Sequence, residues 1–132
     1  MVDETENDTK ATSEDDLTKG LIRYVLGFLW RGAAPPQVSD EERQRIQTEH
    51  VANNRRMKKL GKVIASGPFL DDTNLRGILL FSTTSEEEIR QLTANDPAIK
   101  RGFLRLELHP WLGPSGLGGS TSPRPPVDAS ER

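Results

Sequence analysis

The sequence predicts an α+β domain with the element order β-α-β-β-α-β and a four-stranded antiparallel sheet. Three observations lead there. Ser39 with Glu42, and Ser85 with Glu88, are two Ser-x-x-Glu capping boxes, each opening a helical stretch. Four short apolar segments surround those helices, and the last of them, Phe103-Leu104-Arg105-Leu106-Glu107-Leu108, alternates strictly as a strand with one buried face does. Composition supplies the third: hydrophobic residues are 33% of the 132, against roughly 45–50% apolar in a compact domain, so polar tails dilute an ordinary core.

Leu21 to Trp30 forms the first strand, with Ile22, Tyr24, Leu26, Phe28 and Trp30 on one face and Leu21, Val25 and Leu29 on the other. Gly32-Ala33-Ala34-Pro35-Pro36 ends it. A long helix runs from about Asp40 to Leu60, stopped by Gly61, with an inward stripe of Ile46, His50, Asn53, Met57 and Leu60. Lys62 to Ser66 is a short strand cut off by Gly67-Pro68. A turn over Phe69 to Asn74 leads into the third strand, Leu75 to Phe81. The second helix turns Ile89 and Leu92 inward and breaks at Asn95-Asp96-Pro97, because the residue before proline is pushed out of the helical region. The fourth strand follows, and His109-Pro110-Trp111 closes the domain. This is the split βαβ, or ferredoxin-like, arrangement. It puts both helices on one face of the sheet, yet the first and third strands are apolar on both sides. A second copy of the chain is the simplest cover for the open face, which predicts a homodimer.

Charge and composition exclude several classes. Residues 1–19 carry a net −5 and residues 113–132 a net 0, so an overall −2 leaves +3 on residues 20–112. The acidic stretch 1–19 and the Gly/Ser/Pro-rich stretch 114–132 are expected to be disordered, flanking a domain over 20–113. With no cysteine there is no disulfide framework and no thiolate nucleophile or ligand. The longest apolar run, Val25 to Trp30, is far short of the ~20 residues that span a bilayer. The acidic start is unlike a signal or transit peptide. A soluble, cytoplasmic protein that binds neither membrane nor nucleic acid is expected. Arg76-Gly77 opens the third strand as in RNA-recognition motifs, but Ile78-Leu79-Leu80 is aliphatic where stacking aromatics would lie. His50 and His109 lack metal-ligand spacing, so no metal and no cofactor are expected. The basic run Arg55, Arg56, Lys58, Lys59, Lys62 has the pattern of a solvated outer helix face.

His50 is the residue that stands out. A histidine on an apolar helix stripe is commonly a satisfied core residue, but Asn53 shares its stripe and makes a polar patch of it. In this fold the two helices lie side by side, so the turn holding Asp96 can meet that patch. A carboxylate bonded to one ring nitrogen fixes the tautomer and leaves the other nitrogen free to act as a base. Asp96 before Pro97 also has an ordinary role in turn chemistry.

These residues resemble the YciI-like (YCII-related) family. The resemblance is carried by a helix bearing His50, Gly61-Lys62, Gly67-Pro68-Phe69, Arg76-Gly77, the Ser-Glu-Glu helix start, Asn95-Asp96-Pro97 and His109-Pro110-Trp111, and covers about Leu21 to Gly113. It implies a dimeric ferredoxin-like fold similar to muconolactone isomerase and other dimeric α+β barrel proteins. It also implies a His–Asp active pair, here His50 and Asp96, and a family in which one member is a dehydrochlorinase of a chlorinated hydroxyhydroquinone. Asn53, Gly67 and Pro68 are assigned beside the pair to substrate binding. Two functions follow. One is a small cofactor-independent lyase or isomerase using His50 and Asp96 as a general base on an oxygenated cyclic or aromatic substrate. The other is a non-catalytic dimeric module that binds a metabolite or a partner.

Overall fold

A computed structural model describes residues 19–118. The tails expected over 1–19 and 114–132 lie outside the described residues, apart from Lys19 and 114–118. The elements are β1 (Leu21–Arg31), α1 (Asp40–Lys59), β2 (Val63–Pro68), β3 (Leu75–Phe81), α2 (Glu86–Thr93), α3 (Pro97–Lys100) and β4 (Leu104–Pro114). The strands form one antiparallel sheet in the order β2-β3-β1-β4. The fold is therefore the ferredoxin-like α+β arrangement with one added helical turn, α3. No helix among the described residues is long and apolar enough to cross a membrane.

Alternation along the strands separates two surfaces. Val25 and Leu29 of β1, Leu79 and Phe81 of β3 and Leu106 of β4 point one way and pack with Met57 of α1 and Ile89 of α2 as the core. On the opposite face lie Leu26, Phe28 and Trp30 of β1, with Leu80 opposite Leu26 and Ile78 opposite Phe28. The β4 side of that face is polar. Trp30 Nε1 donates to Glu107 Oε1 at 3.0 Å, and the Arg105 guanidinium lies 5.9 Å from the Trp30 ring centre. The Trp30 bond, followed by His109, holds the Glu107 carboxyl below its ordinary range.

Three boundaries differ from the sequence expectation, and proline explains each. β2 continues through Gly67 and Pro68 instead of ending at Ser66, and β4 continues past His109-Pro110-Trp111 to Pro114. Both are edge strands, where a proline lacking its N–H forfeits no ladder bond. Pro110 pairs with Val25 and Pro114 with Leu21, and Ser115 N–H donates to the Gly20 carbonyl at 3.0 Å. Asn95-Asp96-Pro97 does break α2, but it also starts α3. Asp96 is its N-cap and Pro97 its first residue, a position where the missing N–H costs nothing.

Both helices are fixed at their ends. Ser39 Oγ accepts the Glu42 N–H at 3.1 Å and Ser85 Oγ the Glu88 N–H at 3.1 Å. The glutamates of the two boxes do not reach back to close them. Glu42 pairs with Arg101 at 2.5 Å, tying the start of α1 to the end of α3, and Arg101 holds its carboxyl below the ordinary range. Glu88 pairs with Lys62 at 2.8 Å and accepts from Thr83 at 2.6 Å, so Lys62 first and Thr83 second hold it below its ordinary range. The α1 C-terminus is a Schellman motif. Lys62 N–H bonds the Met57 carbonyl and Gly61 N–H the Lys58 carbonyl, both at 2.9 Å, with Gly61 at φ +79° where a side chain would be strained. Leu60, expected on the buried stripe, is the C-cap residue and is 57% exposed. At the far end of β1, Gly32 N–H bonds the Phe103 carbonyl at 2.9 Å, and any Cβ at Gly32 would collide with the Gly102 carbonyl oxygen.

Candidate functional site

Burial of Ile46, Asn53 and Met57 sets the rotation of α1. It leaves His50 at the border of the buried stripe, with its side chain 12% exposed. Facing it across the helix pair is the α2–α3 turn. Asp96 is 1% exposed, and a carboxylate so buried needs a partner for each oxygen. Both are supplied. Oδ1 accepts the Ala98 N–H at 2.9 Å, which is the N-cap bond of α3. Oδ2 lies 2.6 Å from His50 Nδ1. A contact that short to a carboxylate fits Nδ1–H as the donor. On the neutral ring Nε2 then keeps its lone pair.

His50 lines a cavity of about 380 Å³ between α1 and the sheet. His50 and Asn54 of α1, Gly67 and Pro68 of β2, and Arg76 and Gly77 of β3 are among its walls. Asp96 lies behind His50 and contributes nothing to the lining. A second cavity of about 280 Å³ adjoins the first and shares Gln47, Arg76 and Leu104 with it. Among the described residues no three His, Cys, Asp or Glu side chains converge as metal ligands.

The structure thus brings His50 to Asp96, and places Gly67 and Pro68 in the same cavity wall as His50. Asn53 is elsewhere. It is 5% exposed, its Nδ2 donates to the Leu92 carbonyl of α2 at 3.3 Å, and its Oδ1 accepts from Arg56. Its amide is spent joining the two helices, so the expected substrate contact at Asn53 is corrected. The cavity amide is its neighbour. Asn54 Nδ2 is 3.5 Å from His50 Nε2, and Asn54 Oδ1 is buried without a partner among the described residues. Positions three and four residues after His50 are both its helical neighbours. The i+4 spacing was the available signal for Asn54. Arg55 and Lys58, expected on a solvated outer face, line the cavity.

A helix pair thus covers one face of an antiparallel sheet, and a histidine bonded to a buried carboxylate lines a cavity between the first helix and the sheet. The YCII-related domain model matches residues 28–112, which include His50 and Asp96. The chain belongs to the YCII-related domain family. Among solved structures it is similar to the 5-chloro-2-hydroxyhydroquinone dehydrochlorinase of Burkholderia phenoliruptrix AC1100 in complex with 2,5-dihydroxybenzoquinone. That likeness has 22% sequence identity, covers 65% of this chain and 92% of the other, and gives a TM-score of 0.46. No curated protein matches the chain.

The placement of Asn53 has a measurable consequence. Asn53→Ala is expected to lower stability by about 1–2 kcal/mol in a urea titration, the cost of leaving a buried carbonyl and a guanidinium without their partner. The His50 ring should keep its Nδ1–H tautomer, because its bond to Asp96 does not involve Asn53.

Proposed function

We propose that the chain binds a small oxygenated, cyclic or aromatic molecule in the larger cavity and acts on it as a cofactor-independent lyase or isomerase. His50 Nε2 is the catalytic base and Asp96 its positioning residue. The observation that carries this is a cavity-lining imidazole whose Nδ1 lies 2.6 Å from a buried carboxylate that does not itself line the cavity. Asp96 is sealed from the cavity, so it acts through the ring. It holds the Nδ1–H tautomer and balances the charge that appears when Nε2 takes a proton. In an elimination, Nε2 takes a proton from carbon and the electron pair left there forms the double bond as the neighbouring group departs. In an isomerisation the pair is delocalised onto a ring oxygen, and the imidazolium returns the proton to another carbon. Gly67 and Pro68 bring no long side chain into the same cavity, which leaves room for a flat ring.

A second copy of the chain belongs to the same proposal. Leu26, Phe28, Ile78 and Leu80 form a half-buried apolar group on the sheet face opposite both helices. Residues Ser115–Gly118 turn back from β4, bringing Gly118 against Ile64 of β2 at the margin. A dimer through this face would bury the group and leave both cavities open on the helix side.

With a substrate found by ligand screening, His50→Ala and Asp96→Asn should each lower kcat by about 10²–10⁴-fold. The double variant should be little worse than either, because the two residues act as a unit. Unchanged kcat in His50→Ala would overturn the assignment. For the dimer, sedimentation equilibrium at micromolar concentration should return twice the chain mass, and Leu80→Glu should return one. A monomeric wild-type chain refutes it.

A further inference from the structure

We propose that the ligand of the cavity is an anion, a small ring bearing a carboxylate, held by Arg76 together with Arg55 and Lys58. This deepens the function proposed above, since it presupposes that the cavity beside His50 is the substrate site. The chain as a whole has a net charge of −2, yet the walls of the two adjoining cavities contain Arg31, Arg43, Arg55, Lys58 and Arg76 and no aspartate or glutamate. These cations come from β1, α1 and β3, so the cluster is a product of the fold and not of a local basic run. The helix itself makes the distinction. Arg55 and Lys58 line the cavity, whereas Arg56, one residue on from Arg55, turns away to bond Asn53.

Four of the five cations also lack a carboxylate partner among the described residues. Several basic side chains elsewhere are paired, as in Arg101 with Glu42, Lys62 with Glu88 and Arg90 with Glu86. Among the described residues no carboxylate pairs with Arg31, Arg43, Arg55 or Lys58. Arg76 is the best-placed anchor, since it is shared by both cavities. Its nearest carboxylate, Asp72 Oδ1, is 3.6 Å away on a side chain 97% exposed, and its hydrogen bond goes to the Thr73 carbonyl at 2.9 Å. A guanidinium bound to a backbone carbonyl has donors left for a planar two-oxygen ligand. Like charges gathered around a partly enclosed space repel one another, and an incoming anion removes that repulsion and is drawn in by the summed field. The same cations would stabilise negative charge developing on a substrate oxygen as Nε2 takes the proton.

Chemical-shift titration of the full chain with benzoate and with its neutral isostere benzamide tests this. Benzoate should shift the amides of residues 54–58 and 76–78, with a Kd at least about tenfold below that of benzamide. Arg76→Gln should weaken benzoate about tenfold or more, and so should Arg55→Gln combined with Lys58→Gln, two changes on the exposed side of a helix that leave the core untouched. Raising salt from about 0.05 to 0.5 M should weaken it in the same direction. Arg45→Gln, on the same helix but outside the cavity and 66% exposed, should change nothing. Equal affinity for the two probes, no benzoate shift at those residues, or binding indifferent to Arg76→Gln and to the double change would overturn the proposal. The two claims fail separately. A His50→Ala chain that still prefers benzoate supports the anion site whatever the role of the base, and full turnover by that chain would remove only the base.

Discussion

One carboxylate serves two neighbours, and the site depends on that division. Asp96 lies in a turn with almost no exposure, so each of its oxygens must be satisfied from within the protein. One caps α3 through the Ala98 N–H and the other bonds His50 Nδ1. Structure and chemistry are therefore not alternatives at this position. The cap fixes where the carboxylate stands, and the carboxylate fixes which way the ring faces. Removing the ring leaves one oxygen of a buried carboxylate without its hydrogen bond, at a cost of about 1–3 kcal/mol.

Everything around the pair keeps its two carriers in register. α1 is held at its start by the Arg101–Glu42 bridge to the end of α3, and at its end by the Schellman closure through Gly61. Asn53 adds a bond from the middle of α1 to the last turn of α2. Gly32 permits the close approach of β1 to the Gly102-Phe103 segment that follows α3. These contacts join residues far apart in sequence, so the distance between His50 and Asp96 is a property of the whole helix layer.

Much of the fold was legible because its signals are local. Serine N-caps, a glycine after a long helix and strict alternation near Leu106 each report one element without reference to the others. The β-α-β-β-α-β order then brings α1 to the turn after α2, which is why His50 and Asp96 could be named together. What was misread depends on tertiary position. A proline stops a central strand but not an edge one, and nothing near Pro68 or Pro110 tells which strand is at the edge. Asn53 and Asn54 are adjacent and equally polar, and only the packing of Leu92 against α1 assigns one to the helix contact and the other to the cavity. Arg55 and Lys58 have the spacing of a solvated face, and the wall opposite them comes from β2 and β3. The glutamates of the two capping boxes found tertiary cations in place of their own helix termini for the same reason.

Asp96 fixes the His50 ring with its proton on Nδ1 and a lone pair on Nε2, and two-bond proton–nitrogen correlation spectra of that ring test this most directly. On the neutral ring they should show a protonated Nδ1 and an unprotonated Nε2 in the wild-type chain, and a mixture of tautomers in Asp96→Asn. A ring carrying its proton on Nε2, or one whose nitrogen shifts are the same with and without the Asp96 carboxylate, would contradict it.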